Sequence, residues 1–348
     1  MSFIFVVDKY GSALWNCAKA RAQQMDAVVV AANSFSSPKS LFKWILRNSR
    51  SNVLFSWRQP LLDIANFPAT RSLLSAIYSE KKIFLLIPDY TGLENDRLEV
   101  EKCLIEMCHG YYVTNLDLEK LYKRYFPSKN WPKVLHDLPN FELIEKVLKN
   151  FPDREKNSTK KVIWLGNSKW GKRQGYIDHK RLRTTIEPLK KIFSSHFNCF
   201  ELEVIDSSKR AITHYDALSR IRAADFLLQT SVSEGSGIPI LEALALKTIC
   251  LSTPVGIAQE IFHNENSINL ITSDPHEIHD KLHAIENCTF DSLLLNVYEK
   301  YIYAATKDDF SLAHLRTPQI YRNSRFNPTI YFFWILRYIK HRLIYRQN

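Results

Sequence analysis

Residues 225–252 read DFLLQTSVSEGSGIPILEALALKTICLS. DFLLQT, at 225–230, is a short continuous apolar run, the pattern of a strand covered on both faces. IPILEALAL carries a proline near its start and predicts a helix from about residue 239. TICLS, at 248–252, is a second strand. Strand, helix and strand in succession make a parallel βαβ unit. The loop at 231–237 therefore leaves the carboxyl end of a parallel strand, where open α/β sheets bind ligands.

That loop holds the candidate functional residues. Gly235 and Gly237 let the backbone turn sharply and come close to a ligand. Ser236, Ile238 and Pro239 complete the approach to the helix, whose first N–H groups and positive dipole end suit phosphate. Glu234 stands before the helix, and Glu242, eight positions on, stands about a turn inside it. No basic residue lies between the two acids to neutralise them. Carboxylates accept hydrogen bonds from hydroxyls. Amides for phosphate beside two acids for hydroxyls describe a pocket for a sugar nucleotide. Taken singly, each acid also fits a plainer reading: Glu234 as a helix cap, Glu242 as a solvated surface charge.

The same alternation runs outward in both directions. In the first half, apolar runs at 3–7, 27–32, 52–57, 82–87 and 110–114 are separated by helical stretches. One such stretch lies near 12–24. Another opens at Ser37 and Pro38, a cap followed by a first-turn proline. The polar text NFPDREKNSTKK at 150–161 predicts an interdomain linker. Beyond it the series restarts with strands at 162–166 and 200–205 and helices near 181–196, 214–223, 275–287 and 291–304. Two domains also suit a chain of 348 residues. The expected division is 1–155, 156–309, a helix at 310–325 crossing back to the first domain, and a tail at 326–348.

Composition narrows the partners. The net charge of +11 points to an anionic partner. The six cysteines are scattered, without C-x-x-C pairs or zinc spacing, and read as apolar core residues of a reducing compartment. The start, MSFIFVVDKYG, has no basic n-region and reads as a first strand rather than a signal peptide. The tail is different. No acidic residue follows Asp309, and the stretch from Asn327 carries six aromatics with Arg337, Lys340, Arg342 and Arg346. Two readings stay open: a final helix packed on the first domain, or an anchor lying on an anionic membrane surface through 327–348.

The stretch from Ser231 to Ile261 resembles the Glu-x7-Glu region of retaining family-4 glycosyltransferases, with Glu234, Gly235, Gly237, Pro239, Glu242, Ala243, Pro254, Gly256 and Glu260 in register. Ser236 stands where that family has an aromatic, and Leu246-Lys247 where it has Cys-Gly. KVIWLGNSKWGKRQGYIDHKRL, at 161–182, resembles the first strand and loop of the family's second domain. Lys180 matches the lysine of a Lys-Gly pair, with Arg181 in place of the glycine. Lys169, Lys172 and Arg173 compete for an earlier basic role there. Strand and loop features at 110–140 and a helix-like stretch at 310–321 extend the likeness, which is loose in the first half.

The resemblance implies an α/β chain of the GT-B fold, with two Rossmann-like, doubly wound parallel-sheet domains facing a cleft. It implies a retaining glycosyltransferase that moves a sugar from a nucleotide-diphosphate sugar to a saccharide or lipid-linked saccharide. The setting would be bacterial glycan assembly (lipopolysaccharide, capsule or exopolysaccharide). Donor-binding candidates are Gly11, Lys169, Arg173, Lys180, Asp206 and the run Glu234, Gly235, Ser236, Gly237, Ile238, Pro239, with Glu242. Catalytic candidates are Glu234 and, on the acceptor side, Asp89 and Arg58. By the same analogy Glu234 takes a donor-sugar hydroxyl and Glu242 the ribose. The chain has no Asp-x-Asp motif, so a cationic clamp in place of magnesium, no metal and no cofactor are expected. The expected location is cytoplasmic, on the inner face of the membrane. The rivals are an epimerase on the same fold, a phosphorylase and a non-catalytic nucleotide- or glycan-binding module. No motif for nucleic acid accompanies the basic charge, and none is expected as a partner.

Overall fold

The computed structural model describes residues 3–48, 52–66, 80–93, 97–127, 132–151, 159–172, 175–195, 199–262, 269–286 and 292–306. The expected crossing helix at 310–325 and the tail at 326–348 lie outside the described residues, as does Arg173.

The described chain forms two compact units, the first reaching Leu135 and the second starting at His136. The first unit runs β1 (Phe3–Val7), α1 (Ala13–Ala22), β2 (Ala27–Ala31), α2 (Pro38–Arg47), β3 (Asn52–Phe55), α3 (Arg58–Asn66), β4 (Lys82–Ile87), α4 (Leu98–Glu106), β5 (Gly110–Val113), α5 (Leu116–Tyr125) and β6 (Lys133–Val134). Its six strands are all parallel, in the order β2-β1-β3-β4-β5-β6. The run FIFVV shows why alternation is missing from these strands. Ile4 and Val6 enter a core on one face of the sheet, while Phe3, Phe5 and Val7 enter a core on the other. Ser37 caps α2 as its sequence suggests, accepting from the Ser40 N–H, with Pro38 in the first turn.

The second unit runs α6 (Phe141–Asn150), β7 (Lys160–Gly166), α7 (Glu187–Ser195), β8 (Phe200–Asp206), α8 (His214–Ala223), β9 (Phe226–Gln229), α9 (Ile238–Ala245), β10 (Ile249–Ser252), α10 (Ala258–Ile261), α11 (Pro275–Ile285) and α12 (Ser292–Thr306). Its four strands are parallel in the order β10-β9-β7-β8. A single core gathers Val162, Ile163 and Trp164 of β7 with Phe226 of β9 and Ile240 of α9.

The division between units falls after Leu135, not after residue 155. The reason is packing: Ile144 and Val147 of α6 are buried in the core of the second unit. Residues 152–158, most of the expected linker, lie outside the described residues.

The strand order also fixes where a ligand site can form. After β7 the chain turns to β8 on one side, then returns past β7 to β9 on the other. The loops after β7 and β9 therefore diverge at a topological switch point, the place where doubly wound sheets open a crevice.

Candidate functional site

Both switch-point loops carry the residues singled out in the sequence. Lys180 ends the loop after β7, and Glu234 lies in the loop after β9. The two are brought together: the Lys180 ammonium donates to Oε1 of Glu234, and both side chains are largely buried. The Ser231 hydroxyl donates to the same oxygen at 2.5 Å. Nζ of Lys180 also sits 5.7 Å from the centre of the Trp170 ring, within cation–π range. His179 fastens the two loops. Its Nε2 lies 3.0 Å from the Ser233 carbonyl and 2.9 Å from the Ser233 hydroxyl, and the Val232 N–H donates to its carbonyl at 2.9 Å. Burial pushes the His179 pKa below its ordinary value, against the hydrogen bond to the Ser233 carbonyl.

Glu242 occupies the second position, in the middle of α9, and is 5 % exposed. It is not unpaired either. Nε2 of His214, the first residue of α8, lies 2.5 Å from Oε1 of Glu242. Burial works against a charge on His214, but the hydrogen bond and the attraction of Glu242 outweigh it and raise its pKa. The absence of a basic residue near either acid in the sequence thus gives way to two cationic or cationisable partners supplied from 28 and 54 positions away.

Between the acids lies the start of α9. Gly237 has φ +78°, and a Cβ there would stand 2.9 Å from Nε2 of Gln229. Gly256, at φ +56°, passes so close that its Cβ would stand 2.9 Å from the Ser236 carbonyl; Ile257 donates its N–H to that carbonyl at 3.0 Å. The hydroxyl of Ser236 donates to Asp137, and both residues are buried. Where the resembled family has an aromatic, this chain has a polar tie to the segment before α6. The N–H groups of Ser236, Gly237 and Ile238 carry no hydrogen bond among the described residues. Gln229, at the end of β9, is 7 % exposed, and neither of its amide atoms has a partner among the described residues. The site therefore offers a row of backbone donors, a cation and an acid around one helix N-terminus, with a second acid about a turn along the helix.

The remaining expected residues fall as follows. Gly235 lies in the same loop, and Pro239 follows Ile238 in the first turn of α9. Asp206 ends β8 and accepts from the Ser168 N–H at 3.1 Å, the Ser168 hydroxyl at 2.6 Å and the Ser208 N–H at 3.0 Å. Burial opposes its charge, but those donors win and lower its pKa. It ties the loops after β7 and β8 together. Lys169 is exposed on the loop after β7. Gly11 has φ +72° in the loop after β1 of the first unit. Arg58 and Asp89 also belong to the first unit. Arg58 is 7 % exposed, and its guanidinium is engaged internally: Nε with Glu101 at 2.7 Å, Nη1 with Asp89 at 2.8 Å, and Nη2 with the Asp89 carbonyl at 2.7 Å and the Tyr122 hydroxyl at 3.1 Å. Instead of presenting a free cation, Arg58 braces the turn after β4. His214, Ser231, Asp137 and Gln229 could not be singled out from the sequence, because each meets a residue distant in sequence or a neighbour across a turn.

The sequence model of the family described as glycosyl transferases group 1 matches residues 211–308. No curated protein sequence matches the chain. Among solved structures, Anabaena HepE in complex with UDP is similar with a TM-score of 0.58 at 12% identity, over 86% of this chain and 95% of that one. Sucrose-phosphate synthase from Thermosynechococcus elongatus is similar with a TM-score of 0.54 at 14% identity, over 92% of this chain and 98% of that one. The E. coli trehalose-6-phosphate protein bound with UDP-2-fluoro glucose has a TM-score of 0.59 at 7% identity, over 89% of this chain and 96% of that one. The chain thus has the α/β GT-B fold, and the stretch that carries Glu234, Glu242 and His214 matches the glycosyl transferases group 1 family.

Proposed function

We propose that the chain is a retaining glycosyltransferase that moves a sugar from a nucleotide-diphosphate sugar to a saccharide or lipid-linked saccharide during assembly of a bacterial glycan. The observation that carries this reading is the pairing of Lys180 with Glu234 beside the N-terminus of α9, at the switch point of a parallel sheet, with Glu242 buried about one turn along the same helix. The solved relatives bound with UDP or a UDP-sugar support the donor class.

The chemistry follows from the charges. The bond between the anomeric carbon and the diphosphate breaks, and negative charge grows on the departing phosphate oxygens. The acceptor hydroxyl bonds to the anomeric carbon on the same face, and its proton passes to the departing diphosphate. Donors fixed in advance where charge develops supply the largest share of stabilisation a protein can offer. The N–H groups at 236–238 and the Lys180 ammonium play that part, with no metal ion required of the protein. Glu234 takes a hydroxyl of the donor sugar and Glu242 the ribose. In the resting chain Lys180 pairs with Glu234, so a donor that draws Lys180 to its phosphate also releases Glu234 for the sugar. Binding of the two halves of the donor is thereby coupled. Asp89, held by Arg58, serves on the acceptor side, and the tail at 327–348 rests on an anionic membrane surface at the cytoplasmic face.

A panel of UDP-, GDP- and dTDP-sugars scored by thermal shift tests the donor class, because a bound donor raises apparent stability by mass action. One nucleotide sugar should raise the melting temperature of the wild-type chain and fail to do so for Glu242→Ala. A flat response across the panel contradicts the reading.

A further inference from the structure

We infer that His214 is a positioning residue that makes the donor site selective for ribose over deoxyribose, by holding Glu242 so that its second oxygen faces the ribose hydroxyls. This rests on the donor-site reading given above and names a residue that neither the Glu-x7-Glu pattern nor the loop after β7 supplies.

The geometry isolates the pair. Glu242 sits inside α9 and is 5 % exposed, so its carboxylate needs donors in place of water. Oε1 has one, Nε2 of His214 at 2.5 Å. Oε2 carries no hydrogen bond among the described residues. A buried carboxylate with one oxygen engaged and the other open accepts from a hydroxyl that reaches it. His214 is equally committed: its Nδ1 is buried and has no partner, so the bond to Glu242 is the single polar tie of the ring among the described residues.

The backbone supports the same division of labour. His214 is the first residue of α8, fixed there by the Thr213 cap, whose hydroxyl oxygen accepts from the Asp216 N–H at 3.1 Å. A positive charge at a helix N-terminus is unfavourable in itself. His214 therefore has little reason to be where it is except for Glu242. Without the ring, the Glu242 side chain keeps its place on α9 but loses the contact that selects its rotamer.

A ratio of affinities separates this role from simple support of the fold. Binding of UDP and 2′-deoxy-UDP, with GDP and 2′-deoxy-GDP in parallel, is measured by calorimetry on the full chain and on His214→Ala and His214→Gln. The wild-type chain should prefer the ribonucleotide of one pair by about tenfold to a hundredfold, the worth of one hydrogen bond to a charged group. His214→Ala should bring that ratio to within about threefold of unity. His214→Gln, whose amide can still donate to Oε1, should restore most of it. A wild-type chain indifferent to the 2′-hydroxyl overturns the inference, as does a His214→Ala chain that weakens both members of a pair equally and keeps the ratio. If the wild-type chain binds none of the four nucleotides, the donor-site reading itself has failed.

Discussion

At the scale of single residues, the proposed reading puts the chemistry on the two acids and lets their partners set its limits. Glu234→Ala should chiefly lower turnover, and Glu242→Ala should chiefly raise the donor KM, each by about 2–3 kcal/mol of lost hydrogen bonding to a charge. Steady-state kinetics of the two variants check this, and wild-type constants in both contradict it. His214 adds a dependence on pH. Its pKa is raised in the folded chain, with burial opposing and Glu242 prevailing. The stability it contributes is complete below the ordinary histidine value of about 6.5 and disappears as pH rises through the higher folded value. His109 behaves in the opposite way. Burial first, then the charge of Lys82, lowers its pKa to about 4, and its Nδ1 accepts from the Ile83 N–H, a bond that only the neutral ring can take. Stability should therefore fall as pH drops from about 6.5 to about 4, and His109→Gln should flatten that part of a melting-temperature profile. The positions of both acids could be read from the sequence, because a strand, a glycine turn and a helix are local patterns. Lys180 was legible as a basic residue at a strand end, but not as the partner of Glu234. His214 was not legible at all, since only the packing of α8 beside α9 brings it to Glu242.

At the scale of elements, two departures from the resembled family carry a backbone cost. Arg181 replaces the glycine of a Lys-Gly pair and has φ +55°; Lys247 replaces the glycine before β10 and has φ +59°. Both positions demand the left-handed conformation that glycine adopts without strain. Lys247 follows the end of α9, where Thr248 donates to the Ala243 carbonyl at 2.7 Å, the usual place for glycine after a helix. Lys247→Gly should stabilise the chain by about 0.5–1 kcal/mol, strain relief outweighing the added freedom of the unfolded state. Thermal melting checks it, and a lower melting temperature contradicts it. The turn after β4 supports a second prediction. Breaking a buried ion pair leaves an uncompensated charge, so Arg58→Ala should destabilise by about 3–5 kcal/mol. Were Arg58 only a contact for the acceptor, the same change would lower activity and leave the melting temperature unchanged. Continuous apolar runs made most strands legible, because both sheet faces of β1 are covered. The two-residue β6 is too short to leave a pattern, and the hydrophobic content of α6, read without its packing, gave no reason to join it to the second unit.

At the scale of the whole chain, two parallel-sheet units have separate cores, and donor chemistry is proposed for the second. A bound nucleotide should protect backbone amides from hydrogen exchange at the loops after β7 and β9 and at the start of α9, leaving β1–β5 of the first unit nearly unchanged. The net charge of +11 adds a general attraction for anions that weakens with salt; among the described residues, no helix is long and apolar enough to cross a membrane. The most direct measurement is a crystal structure of the full chain with whichever nucleotide sugar raises its melting temperature most. The expected density places the diphosphate on the N–H groups of residues 236–238 with Lys180, the sugar at Glu234 and the ribose at Glu242. A nucleotide bound away from the start of α9, or with both acids still paired only to Lys180 and His214, would contradict it.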